Sequence, residues 1–282
     1  MRNSRFFLFF NTALLTVAIF IFMASCHRKA KDTLTNTDDN GGYASDNVKM
    51  EQNSSDVVSM ADIAAATNSG SGLRTSGTTI GGCATVTNDS VGAIHTLTID
   101  FGTSNCTCLD GKNRRGKIIV TYTGRYKDAG STHTITYNNY FVNDNQLSGL
   151  KTVTNMGTNT SGQVYYTVTV NDTLNLGAGN GQIVWAGSRT RTWLSGYDTH
   201  VWSDDSYEIS GTTTLTRANG NMFTMNIITP LKVAYGCAWI KSGKATVTRP
   251  SGVTATLDYG DGNCDNEAQL TIGTHTYNIT LK

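Results

Sequence analysis

Between residues 185 and 207 the chain gathers the side chains best suited to hold a ligand: Trp185, Arg189, Arg191, Trp193, Tyr197, Trp202 and Tyr207, with Asp204 and Asp205 close by. Flat rings beside hydrogen-bonding groups suit a sugar, which stacks on the ring and bonds through its hydroxyls. Trp185, Arg189, Arg191 and Trp193 fall on one side of a regular strand, because strand side chains alternate. These four, with Tyr197 and Trp202, make a candidate glycan platform. The competing reading is structural: rings that cover a sheet edge, with arginines packed over them. Burial is the commoner employment of large aromatics, and it weights the structural reading more heavily.

Other chemistry is thinner. Asp258, Asp261, Asp265 and Glu267 surround Gly260 and Gly262 and offer hard oxygen ligands for calcium. Their spacing is not that of an EF-hand, and Asp with Gly is also what tight turns use. The histidines, His27, His95, His133, His200 and His275, stand apart from one another and from any HExxH or GxSxG pattern. Lys112, Arg114, Arg115 and Lys117 read as a solvated basic turn. No catalytic residue, metal site or cofactor is predicted, and the body is read as non-enzymatic. The rival is a polysaccharide-active enzyme whose residues converge from distant positions, as paired carboxylates do across a cleft. A net charge of +1 supplies no field for nucleic acid.

Cysteine usage points to export. The apolar stretch that starts at Phe6 follows Arg2 and Arg5 and closes on Met23-Ala24-Ser25-Cys26, with Arg28, Lys29 and Lys31 directly after. This is the layout of a signal peptide over 1–25 with small residues before the cut, and it assigns Cys26 as a lipidated residue. Met23 stands where Leu is usual in a lipobox. Five cysteines remain: Cys83, Cys106, Cys108, Cys237 and Cys264. An oxidising compartment permits disulfides, so two bridges and one thiol are expected. Residues two apart on a strand face the same way, so Cys106 or Cys108 could meet Cys83. A repeat favours the former: LTIDFGTSNC at 97–106 matches ATLDYGDGNC at 255–264, and ATVT occurs at 84–87 and 245–248. The expected bridges are thus Cys83–Cys106 and Cys237–Cys264.

The elements that must position these residues are strands. In 163–176, Val164, Tyr166, Val168, Val170, Leu174 and Leu176 alternate with Thr and Asn, and 222–235 behaves alike. Such a period of two makes half-buried strands with one face on a core. Asn219-Gly220 is a hairpin signal, and Pro230 marks an edge or a bulge. Short connections force antiparallel neighbours. The fold class is therefore all-β, an antiparallel meander of long hairpins forming a sandwich or a curved open sheet. It follows the signal peptide and a flexible tether. Residues 26–75 are read as that tether, polar to about 54, with room for a short helix after Ser55. Residues 76–282 form the body, with related units at 82–125 and 237–282.

Four segments carry a resemblance: LTIDFG with its following cysteine, GKIIVTYTGRY at 116–126, TRTWLSGYDTHVWSDDSYEISG at 190–211, and the C-terminal LDYGDGNCDNEAQLTIGTHTYNITL. Over roughly 82–282 the chain resembles uncharacterised secreted lipoproteins of the Bacteroidetes. The resemblance implies compartment and fold and assigns no reaction. The expectation is an outer-membrane lipoprotein of the cell envelope, held to the membrane through Cys26. Glycan is its candidate ligand, and nucleic acid is not a partner.

Overall fold

The computed structural model describes residues 39–68, 82–89, 94–199 and 201–281. Cys26 and the signal segment lie outside the described residues. The body is one antiparallel sheet and one helix. The strands are β1 (Thr85–Asp89), β2 (His95–Asp100), β3 (Cys106–Thr107), β4 (Asn113–Tyr122), β5 (Thr132–Val142), β6 (Asn145–Thr158) and β7 (Val164–Asn175). They continue with β8 (Gln182–Ser195), β9 (Ser206–Arg217), β10 (Met222–Ala234), β11 (Ser242–Thr248), β12 (Thr254–Asp261), β13 (Glu267–Ile272) and β14 (His275–Thr280). Apart from β3, which pairs only with β4, they lie side by side in chain order from β1 to β14.

Of the two expected architectures, the single curved sheet is the one that forms. Among the described residues no second sheet covers its apolar face; the helix α1 (Asp39–Asn68) does. Side chains of β4, β8, β9 and β10 all bond to or stack on this helix, so the sheet wraps it. Around α1 the buried positions include Tyr43, Val48, Met50, Glu51, Val57, Val58, Asp62 and Ala64. Partial or full exposure is kept at Gly42, Ser45, Asp46, Lys49, Asn53, Ser55, Asp56, Ser59 and Ile63.

The helix corrects the reading of residues 39–54 as flexible tether. The short helix expected after Ser55 is the second half of a helix that begins sixteen residues earlier. Gly41, Gly42, Asn47 and Asn53 are poor helix formers, and the segment would be marginal alone. Inside the sheet its acids find partners, Asp46 with Arg217, Glu51 with Arg189, Asp56 with Lys112 and Asp62 with Arg191, and its backbone bonds along the axis.

Alternation sets the two faces. Inward positions carry Leu97, Ile118, Ile135, Val168, Trp185, Leu215, Met225 and Leu257, each at most 5% exposed. Outward, one register row crosses all thirteen side-by-side strands: Asp89, Thr96, Thr121, Thr134, Thr152, Thr169, Ser188, Thr212, Asn226, Thr246, Thr256, Thr271 and Thr276. Threonine suits this face, since its branched Cβ favours strands and its hydroxyl solvates the surface. Neighbours in it also bond, as Thr271 to Thr276 at 3.0 Å.

The local signals hold. Asn219-Gly220 turns β9 into β10, with Gly220 at φ +81°. Pro230 sits at a bulge, not an edge: β10 lies between β9 and β11, and its register with β11 breaks on both sides of Thr229. Gly243 opposes that bulge at φ +112°, where a Cβ would stand 2.4 Å from the Pro230 carbonyl oxygen.

Both expected disulfides are present, Cys83–Cys106 and Cys237–Cys264, and Cys108 is free and buried. They close loops with sequence separations of 23 and 27 residues. On the chain-entropy account each stabilises by about 3 kcal/mol. The two repeats also fold alike. The Asp100 carboxylate accepts from the Gly102 N–H at 2.9 Å, and Asp258 from Gly260 at 3.1 Å. Each aspartate pairs with a lysine of a neighbouring strand at 2.8 Å, Lys117 and Lys244 respectively. The aromatic between Asp and Gly, Phe101 or Tyr259, is buried in both.

Candidate functional site

The predicted aromatic platform is the first candidate, and the structure turns it inside out. Trp185, Arg189, Arg191 and Trp193 do share one side of β8, but that side faces the helix. They are 0%, 3%, 4% and 6% exposed. The charges go inward because the helix answers them. Glu51 Oε2 accepts from Arg189 Nε at 3.0 Å and Nη2 at 2.7 Å, and Nη2 also donates to Thr213 Oγ1 at 2.8 Å. Asp62 pairs with Arg191, whose guanidinium lies 3.7 Å from the Tyr207 ring centroid. Burial opposes the Arg191 charge, and Asp62 more than restores it, so its pKa is raised. Tyr197 is half-buried, with its hydroxyl 3.3 Å from that of Tyr166 and Lys127 over its ring at 4.5 Å. Trp202 opens a single helical turn, Trp202–Asp204, and its side chain lies outside the description.

Two more charge clusters tie the helix to the sheet, one near its start and one at its middle. Asp46 accepts from Arg217 Nε at 2.7 Å, and Arg217 covers the Tyr43 ring at 3.7 Å. Burial holds the Asp46 carboxyl above its ordinary range despite Arg217. Asp56 meets Lys112 and Arg114, and Arg114 also grips Asp110 at 2.6 Å and 2.7 Å. The basic turn expected to be solvated is thus partly built into the helix contact. Beside the second cluster the Tyr207 hydroxyl bonds Ser55 at 2.8 Å and Ser59 at 3.0 Å. A narrow void beside them is bounded by Glu51, Ser54, Ser55, Arg189, Arg191 and Tyr207.

One cluster had no signal in the sequence. Lys151 of β6 is fully buried, touches the Asp172 carboxylate and donates to the Tyr137 hydroxyl at 2.9 Å. Burial pushes its ammonium down to about 7, against the pull of Glu51. The touching carboxylate favours the charged form, so we read the pair as a buried salt bridge. In an open cleft such a lysine would be a nucleophile or base. Here it holds β6 to β7. Buried Leu147 and Val153 on the Lys151 side of β6, and Val170 and Leu174 on the Asp172 side of β7, mark both residues as inward.

The acidic turn does local work. Asp258, Asp261 and Asp265 each accept a backbone N–H two residues on, from Gly260, Asn263 and Glu267. Among the described residues no three His, Cys, Asp or Glu gather at metal-binding distance. Burial pushes the Cys108 thiol up, with Arg114 pulling the other way.

His133 is 2% exposed and stacked on Tyr122, with Tyr126 edge-on. Burial holds its pKa down to about 4, from an ordinary 6.5. Between those values the unfolded chain binds the more protons, so stability is present above pH 6.5 and is lost as pH falls toward 4. The loss attributable to this ring is about 3 kcal/mol, at roughly 1.4 kcal/mol per pKa unit. Urea unfolding of wild type and His133→Phe at pH 7 and pH 4 should show the smaller drop in the variant. Equal drops would remove His133 from the acid response.

Comparison with known protein families, with curated proteins and with solved structures finds no match to this chain.

Proposed function

We propose that the protein is an exported lipoprotein of the bacterial cell envelope, held at the outer membrane by acyl chains on Cys26, whose β body is a non-enzymatic structural or binding module. The observation that carries this reading is the pair of disulfides, one in each repeat at either end of the sheet. Bridges in a chain of ordinary composition belong to oxidising compartments and would be reduced in a cytosol. The signal-like segment ending at Cys26 and the resemblance to secreted Bacteroidetes lipoproteins support the same compartment.

For the body, the support is where its charge is spent. Glu51, Asp62 and Asp46 of the helix engage the guanidinium groups of Arg189, Arg191 and Arg217 across the helix–sheet contact, and Lys151 engages Asp172 between two strands. What meets the surroundings is the outward face and its row of threonines. A hydroxyl-rich, nearly neutral face suits a neutral polar partner in the envelope better than a polyanion.

Cys26→Ala should abolish incorporation of labelled palmitate and leave the precursor uncleaved or the protein outside the membrane fraction. Intact mass of the mature wild-type protein should carry the acyl groups. A mature protein with an unmodified Cys26 would overturn the anchor.

A further inference from the structure

The edge strand β14 has a counterpart inside the sheet. THTITYN at 132–138 in β5 and THTYN at 274–278 in β14 continue the repeat one strand further, and Thr134 and Thr276 sit in the same cross-strand row. The outer edge of β5 is taken by β6, whereas among the described residues β14 pairs only with β13. The consequence shows in burial. Ile135, on the inward side of β5, is fully buried, while Tyr277 and Ile279, on the inward side of β14, are half-exposed.

Natural sheets protect such edges with prolines, lysines, bulges or short strands. β14 has none of these: His275–Thr280 is six residues long, paired with β13 without a register break. Nor does the sheet close on itself. Thirteen strands alternating in direction put β1 and β14 parallel, so the edges of one chain cannot extend the antiparallel ladder by meeting.

A second copy can. We propose that β14 is a docking edge for a second copy of this chain, paired antiparallel across a two-fold axis at Asn278. Keeping the inward face inward requires an axis through a residue, because a slip of one residue exchanges the faces. An axis at Asn278 overlaps residues 276–280 of each strand. It sets Tyr277 opposite Ile279 of the second copy, and Thr276 opposite its Thr280. An aromatic facing a β-branched residue and Thr facing Thr are favourable cross-strand pairs, and no like charges meet. The interface is isologous, so it closes at two copies.

Asn278→Cys in the full-length chain in its own membrane tests this. Directly opposed residues have Cβ atoms about 5 Å apart, close enough for a bridge after small adjustment. Mild oxidation should convert most of the variant to a species of twice the monomer mass on a non-reducing gel. Thr280→Cys, displaced from the axis, should stay monomeric under the same treatment. Adding Ile279→Lys to Asn278→Cys places a charge on the inward side and should abolish the product, while the two native disulfides still form. Equal cross-linking from Asn278→Cys and Thr280→Cys would overturn the proposal. So would no product at all, or a product joined to a protein of different mass.

Discussion

Glu51→Ala is expected to destabilise the protein by about 3–5 kcal/mol, far more than its single ion pair is worth in place. The asymmetry comes from what remains. Arg189 is 3% exposed, and both of its bonds to the helix end on the one oxygen that the substitution removes. An unpaired guanidinium would then sit between helix and sheet, with Thr213 as its remaining hydrogen-bonded oxygen. Removing both charges should reverse most of the loss. Glu51→Leu with Arg189→Met fills the same space with apolar atoms, and such exchanges of buried pairs are commonly neutral or stabilising by about 1–4 kcal/mol. Urea midpoints at unchanged slope would measure both effects. A single Glu51→Ala variant within about 1 kcal/mol of wild type would mean that the helix does not pack in the sheet as described. The experiment therefore tests the placement of residues 39–68, the feature of the fold that local sequence patterns conceal.

The strands were legible because their signal is local. Threonine on one face and Val, Leu, Tyr or Ile on the other repeats every two residues, and Asn219-Gly220 and the bulge at Pro230 depend on a few neighbouring residues. The disulfides followed from the repeat, which aligns cysteines across more than 150 residues of chain. The first half of the helix was not legible. Asn47, Glu51, Gln52 and Ser54 read as solvent-facing tether, yet all four are buried. For Glu51 the partner is contributed by a strand well over a hundred residues away, Arg189 of β8. No window of the chain contains both halves of that interaction. In the aromatic segment the structural reading that carried the greater weight holds for Trp185 and Trp193, and the exposed-platform alternative fails there for the same reason. Its alternation correctly put Trp185, Arg189, Arg191 and Trp193 on one side, but two arginines argue for solvent unless acids are known to wait inside. A wrapped helix with carboxylates reverses the meaning of a charged strand face. Lys151 and Asp172, one on each of two paired strands, were hidden by the same rule.

Trp185→Ala should cost about 3–5 kcal/mol of stability, the usual loss for a buried Trp truncation. The ring is fully buried on β8, between Asp172 of β7 and Leu215 of β9 in the register, and Arg189 lies over it at 5.5 Å. Truncation would leave a cavity in a wall that cannot collapse freely, because β8 is paired on both sides along its length. It would also strip an aromatic face from a guanidinium already removed from water. Leu194 is the matched control: it is on the same strand, faces outward and is 40% exposed. Leu194→Ala should change stability by less than about 0.5 kcal/mol, the range of surface substitutions. A sugar platform predicts the reverse pattern, with Trp185→Ala leaving the melting temperature intact and weakening retention on immobilised polysaccharide. A large loss of stability for Trp185→Ala with little change for Leu194→Ala would identify the ring as part of the wall that encloses the helix. An undiminished melting temperature would require the inner face of β8 to be open to solvent, contrary to the contacts of Arg189 and Arg191 with Glu51 and Asp62.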